Sequence, residues 1–354
     1  MTQRILSLNF LLRSSRTKIA QKGAILIFVL WVLSFLAVLA VHLGYGVRQK
    51  MIFMKRIESR SQVQHITEGC AKAALALLVD DLQRNQYQYS ASAKAFRHNN
   101  PSRFASIKVP EGNCEISYPL EDDQTAGQLA YGLIDEERKI NVNTADKIVL
   151  IRIIADVLVL DDHYTELLAE AVYDWRQTGS SEIKGFSSDD YYANLKYPYP
   201  KKSLPFELPD ELLLVKGIDL ARFEKLKNYL TVYGNGQVNV NTASKKVLMA
   251  LGLTEEIVDK LLTYRRGADG VDDTSDDHIF YRVFDIAAEV NASQKLEPEQ
   301  MRAIDQLNQR NLLTVNSVFY SIQSQGMLDG TNEKRKVFLI FNSTENRIVY
   351  WNEK

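Results

Sequence analysis

An excess of basic charge is the first thing missing. The 354 residues carry 43 lysines and arginines against 44 aspartates and glutamates, a net charge of −1. So balanced a chain offers phosphate little, which argues against a nucleic-acid protein. Histidine is scarce as well. His42, His65, His98, His163 and His278 are scattered, and none has a neighbouring serine, cysteine or ligand at catalytic spacing, so no enzyme site can be assembled from them. Cysteine is limited to Cys70 and Cys114. They form one disulfide or stay as two buried thiols, and the sequence leaves both readings open.

The near-neutral average hides an uneven distribution. Arg4, Arg13, Arg16, Lys18 and Lys22 precede Gly23 with no acid among them, leaving 38 basic against 44 acidic groups and a charge of −6 on the rest. Between Gly23 and Gly44 every side chain is formally uncharged except for whatever His42 carries. About 20 apolar residues suffice to cross a bilayer, so this segment reads as a membrane span with its basic flank held on the cytoplasmic side.

Apolar residues continue at helical spacing through Met54, Ile57, Ile66, Cys70, Ala73, Leu77, Leu78 and Leu82. They predict one helix from Ala24 to about Arg84, roughly 90 Å long at 1.5 Å per residue, apolar all round at first and on one stripe later. Strands are expected at Phe104 to Val109, Asn113 to Leu120 and within Gln128 to Asn141. Others are expected at Leu312 to Gln323, Lys336 to Asn342 and Arg347 to Trp351, with helices between the two groups. Strands at both ends and helices in the middle imply a helical insertion in an α+β domain. Within it Asn-Val-Asn-Thr-Ala occurs twice, at Asn141 to Ala145 and Asn239 to Ala243. Two related helical units are predicted, with Thr144 and Thr242 as N-caps.

Gly267 to Asp277 holds five carboxylates in nine residues: Asp269, Asp272, Asp273, Asp276 and Asp277. Like charges this dense repel unless a cation takes them up, and calcium accepts six to eight such oxygens. The expected ligands are the carboxylates of Asp269, Asp272, Asp276 and Asp277 with the carbonyls of Val271 and Thr274. No EF-hand is present, since the closing Glu is missing.

Gly23-Ala24-Ile-Leu-Ile-Phe28 resembles the leader junction of type IV prepilins and type II secretion pseudopilins. The resemblance extends along the chain through Gly23 to Trp31, Ile140 to Leu150, Ala171 to Trp175, Tyr191-Tyr192 through Pro205-Phe206 to Gly217, Val238 to Leu248, and Gly267 to Phe280. The chain is identified as resembling the K-type minor pseudopilins of the type II secretion system, the general secretion pathway protein K family. That resemblance implies a pilin-like long N-terminal α-helix packed on an antiparallel sheet, with a large inserted SAM-like or helix-hairpin-helix-like domain. The implied segments are a leader at 1–23, a transmembrane stretch at 24–44, stalk helix and first strands at 45–124, the insert at 125–305 and closing strands at 306–354.

Further implications follow from the same likeness. A prepilin peptidase would cut between Gly23 and Ala24, and Ala24 would be N-methylated. Phe28 stands where most pseudopilins carry Glu, as is typical of the K type; an apolar residue there suits a subunit with no neighbour above it in the bilayer. The acidic loop departs from the calcium-loop pattern in having Asp273 for its second glycine. A second metal site rests only on Asp189 and Asp190, because the acids that often follow the Asp-Trp pair are absent after Trp175. Implied partners are the I- and J-type minor pseudopilins, other pseudopilins, and the secretin or secreted cargo, for an inner-membrane subunit of a Gram-negative bacterium with a periplasmic body. The competing readings are a minor pilin of a type IV pilus and a competence-type DNA receptor. The second is disfavoured because neither repeat has the Gly-x-Gly hairpin that grips phosphate.

Overall fold

No proline occurs before Pro101, so nothing in the N-terminal quarter removes a backbone donor from a helix. In the computed structural model, which describes residues 18–84, 91–120, 128–177 and 188–354, helix α1 accordingly runs from Lys18 to Arg84. Most of the leader, residues 1–17, lies outside the described residues; Gly23 and Ala24 fall within α1. The chain divides into two compact units, Met1–Ser61 and Gln62–Lys354.

In the first unit the described chain is α1 alone. From Ala24 onward its large apolar side chains, among them Phe28, Trp31, Leu33, Phe35, Leu36 and Val41, are exposed. A span this long and apolar fits a single-pass membrane anchor. Exposed apolar residues continue past it at Met51, Ile52, Phe53, Met54 and Ile57.

In the second unit the last part of α1 lies on an antiparallel sheet. After α2 (Ala91–His98) and α3 (Pro101–Phe104) come β1 (Ile107–Val109), β2 (Gly112–Pro119), β3 (Leu129–Tyr131) and β4 (Ile134–Asp135). The sheet is completed by β9 (Phe319–Leu328), β10 (Lys334–Asn342) and β11 (Arg347–Glu353), in the order β1-β2-β9-β10-β11, with β3 on β2 and β4 on β9. Strand 4 pairs Ile134 with Ser321 and Asp135 with Tyr320. The sheet therefore closes across the gap from which the helical segment departs.

The face of α1 that meets this sheet is Val63, Thr67, Cys70, Ala71, Ala74 and Leu78, all buried. This corrects the expected stripe by part of a turn: Ala73 is exposed and Leu77 only half-buried. Small residues explain the rotation, because they let the helix axis come close to the strands. A Cβ built on Gly326 of β9 would lie 2.2 Å from Thr67 Oγ1, so only glycine fits at that crossing. Ser324 Oγ donates to the Thr67 carbonyl at 3.0 Å. Cys70 of α1 and Cys114 of β2 are joined as a disulfide, their Cα atoms 6.6 Å apart. Phe104, Ile116, Leu133, Ile322, Leu339 and Phe341 fill the space around them.

Between β4 and β9 the chain builds a second core, drawn from Ile140 through Val315. Its limits differ from the expected 125 and 305. Residues 129–135 are consumed by sheet pairing, and a strand after residue 305 belongs to the helical part.

The two predicted units are present and their likeness is deeper than the shared pentapeptide. The first runs β5 (Ile140–Asn141), α4 (Lys147–Leu158), α5 (Asp162–Trp175), α6 (Ser188–Ala193), a 3-10 turn at Pro209–Leu214, α7 (Leu220–Leu226) and β6 (Leu230–Thr231). The second runs β7 (Val238–Asn239), α8 (Lys245–Ala250), α9 (Glu255–Arg265), a 3-10 turn at Val283–Asp285, α10 (Ile286–Gln294), α11 (Pro298–Gln309) and β8 (Leu313–Thr314). In each, the first and last strands pair in parallel, β5 with β6 and β7 with β8.

The pentapeptide turns are held alike. Asn143 brackets Phe206, donating to its carbonyl and accepting from its amide; Asn241 does the same to Phe280. Arg176 donates to the carbonyls of Val142 and Ala145, and Arg265 to those of Val240 and Ala243. Trp175 stacks on Phe206 and Tyr264 on Phe280. The threonines are not the caps. Asp146 and Ser244 accept from the amides of Val149 and Val247, because the turn ends two residues after each threonine. Thr242 instead donates to Asp135 at 2.6 Å, tying the second turn to β4.

Candidate functional site

The acidic loop follows directly on Arg265 and Arg266 at the end of α9, and its backbone bends through three left-handed residues. Gly267 and Gly270 have φ of +66° and +72°, and Asp273 has +68°. Asp273 thus adopts at its own cost the conformation that a glycine takes freely, so replacing the pattern's second glycine leaves the turn intact.

All six expected calcium ligands share this loop, but the carboxylates of Asp272, Asp276 and Asp277 are engaged by the protein. Asp276 Oδ2 accepts from the amides of Ala268 and Asp269, and its Oδ1 lies 2.8 Å from the Thr274 hydroxyl. Those bonds hold the exposed Asp276 carboxyl down at about 2. Asp269 accepts from the amide of Val271 at 2.7 Å. Asp272 Oδ1 faces Arg265 at 3.2 Å and its Oδ2 faces Arg266 at 2.9 Å. Burial alone would raise the Asp272 carboxyl, but Arg265, Lys94 and Arg266 outweigh it and hold it well below the usual range. Asp277 Oδ2 accepts from the amide of Asp273 and from Lys94 Nζ at 2.7 Å. Burial pushes the Asp273 carboxyl up to about 6 against the pull of Lys94, with the charge of Asp272 adding to the rise.

Calcium needs six to eight oxygens converging on one point. As arranged, this set does not supply them: Asp272 is turned to two arginines and Asp277 to a lysine. Among the described residues no group of three or more His, Cys, Asp or Glu side chains is gathered in a way that could hold a metal. Of the second candidate pair, Asp190 is exposed and the Asp189 side chain lies outside the described residues. Sequence reasoning missed Lys94, which sits on α2 far away in the chain; the doublet Arg265-Arg266 beside the loop was the one available signal.

The helix junctions bear on phosphate binding. Between α4 and α5 the turn carries Val159 at φ +50°, and the Asp161 carboxylate accepts from the amide of Tyr164 at 2.9 Å. Between α8 and α9 the turn uses Gly252 at φ +108°, followed by Glu255 and Glu256 in the first turn of α9. In both places acid stands at the helix N-terminus that a DNA phosphate would need.

A long helix on an antiparallel sheet, interrupted by a duplicated helical domain, defines the class by its fold: a pilin-like α+β chain whose N-terminal helix fits a membrane anchor. Residues 132–235, the span of the first helical repeat, match the family model described as type II secretion system (T2SS), protein K. A chain in the crystal structure of the GspK-GspI-GspJ complex from the enterotoxigenic Escherichia coli type 2 secretion system has the same fold. The TM-score is 0.58 at 16% identity, over 84% of this chain and 99% of that one. No curated protein matches. Over residues 132–235 the chain is similar to the protein K family of the type II secretion system, which bears out the resemblance read from its motifs. Proteins of this family are minor pseudopilins, structural components of the secretion apparatus.

Proposed function

We propose that this chain is the subunit that closes the tip of a type II secretion pseudopilus and so supports protein export across the outer membrane. One observation carries the reading: the protein K domain occurs here inside the pilin-like host, with α1 supplying the anchor. A pilin assembles sideways through its long helix, and α1 keeps exposed apolar residues beyond the lipid span for such contacts. The helical domain obstructs the addition of a further subunit, and Phe28 removes the intramembrane carboxylate that would recruit one. The basic flank before Gly23 keeps the N-terminus in the cytoplasm and the body in the periplasm. A prepilin peptidase releases the leader at Gly23, leaving Ala24 as the methylated N-terminus.

By this reading the I- and J-type minor pseudopilins are the immediate partners, as the solved GspK complex suggests, with secretin or cargo contacts beyond them. The test is affinity purification of the full-length chain from detergent-solubilised membranes, with gold labelling of sheared pseudopili. I- and J-type subunits should co-purify in fixed proportion and label should sit at filament ends. Label spread along the shaft, or purification without those partners, overturns the proposal.

A further inference from the structure

The acidic loop already contains its cation. Lys94, on α2 outside the helical repeats, reaches the loop with its ammonium group; its side chain is 3% exposed and that of Asp277 0%. Nζ lies 2.7 Å from Asp277 Oδ2 and 3.6 Å from Asp272 Oδ1. Arg265 and Arg266 also pair with Asp272. A buried carboxylate is costly unless paired and hydrogen-bonded, and Asp277 has both, from Lys94 and from the amide of Asp273.

The first helical repeat uses the same device. There Asp174, beside Trp175, pairs with Lys201 at 3.0 Å, both side chains 4% exposed. Lysine is a compact point charge on a long flexible stem, which suits it to enter from outside and take the place of a small ion.

We propose that Lys94 is the resident counter-ion of this loop, so that the loop keeps its shape, and stays fastened to α2, without a divalent cation. The geometry sets this against the reading of the loop as a calcium site, because the Lys94 ammonium charge, 2.7 Å from Asp277 Oδ2, already neutralises that carboxylate and repels a second cation beside it. Replacing Lys94 should uncover a cation requirement that the wild-type chain lacks.

The test uses the full-length chain in detergent, stripped with chelator and then titrated calorimetrically with calcium chloride to about 5 mM, above the weak end near 10⁻³ M for extracellular calcium modules. Magnesium chloride serves as the ionic-strength control. The wild type should give no saturable heat, and calcium should move its unfolding midpoint by no more than about 1 °C beyond magnesium, since a ligand that does not bind does not stabilise. Lys94→Met should unfold several degrees lower and regain part of the loss in calcium. Lys94→Met with Asp277→Asn should recover most of the midpoint and lose the calcium response, because no buried charge is left unpaired. If Lys94→Met does not fold, the wild-type titration and the double variant decide alone. Saturable calcium heat in the wild type that disappears in Asp277→Asn, or a Lys94→Met chain as stable as wild type, overturns the proposal.

Discussion

Gly326, buried within β9, should be irreplaceable. Its β9 position faces Thr67 of α1, and a methyl there would sit 2.2 Å from Thr67 Oγ1 and 3.1 Å from both Thr67 Cβ and the Thr67 amide nitrogen. Ordinary contact is about 3.5 Å or more, so α1 has to retreat by roughly 1 Å. The helix cannot simply tilt, because the Cys70–Cys114 disulfide fastens it one turn further on and Cys114 pairs with Gly326 across the sheet. Overpacking of this kind costs about 1–3 kcal/mol. Losing the Ser324 hydroxyl bond to the Thr67 carbonyl adds about 1 kcal/mol. Gly326→Ala is therefore expected to destabilise by about 3 kcal/mol, measured by urea unfolding of the detergent-solubilised chain followed by tryptophan fluorescence. Thr67→Ala removes the closest atom at the cost of one helix-internal bond to Val63, about 1 kcal/mol. The double variant should be less destabilised than the two singles added together, with a coupling of about 1 kcal/mol. A neutral Gly326→Ala, or strict additivity in the cycle, would refute the close-approach argument.

Reducing the disulfide, or Cys114→Ser, should lower stability by about 4 kcal/mol in the chain-entropy model for a loop of this span, read as a drop in urea midpoint with and without reductant. Burial, together with the charge of Asp135, pushes the Glu137 carboxyl up to about 8. A raised carboxyl favours the fold while it stays protonated. Stability from this group is thus complete below its unfolded value near 4.5 and lost as pH rises through about 8, on the order of 5 kcal/mol. Glu137→Gln should flatten the unfolding midpoint between pH 6 and 8.5. Gly23→Leu should leave the leader uncut, visible as a slower band on a denaturing gel; normal processing would contradict the junction assigned at Gly23 and Ala24.

How much could be read beforehand depended on the range of the interaction. The long helix, the strands at Phe104 to Val109 and Asn113 to Leu120, and the three closing strands follow from local periodicity, and all appear close to where they were expected. The duplication was visible because Asn-Val-Asn-Thr-Ala is strict. The reason it is strict was not: Asn141, Asn143, Asn239 and Asn241 each bond to backbone or side-chain atoms 39 to 104 residues away. The face of α1 was placed part of a turn off because spacing alone does not show which side of the stripe meets a glycine on a distant strand. The acidic loop was found by composition, but its neutralisation by Lys94, 183 residues from Asp277, leaves no mark in local sequence.

Strands β4 and β9 clasp one another at Ile134–Ser321 and Asp135–Tyr320, at the very point where just over half the polypeptide departs and returns. To the sheet, the whole excursion is equivalent to a hairpin loop, since loop-closure entropy grows only slowly with length. The host can thus accept a cargo of any size at this doorway, and an excised chain in which a short Asn-Gly turn bridges Asp135 to Tyr320 should still form its strands. Growth of the helical insertion and integrity of the pilin-like host are separable inheritances.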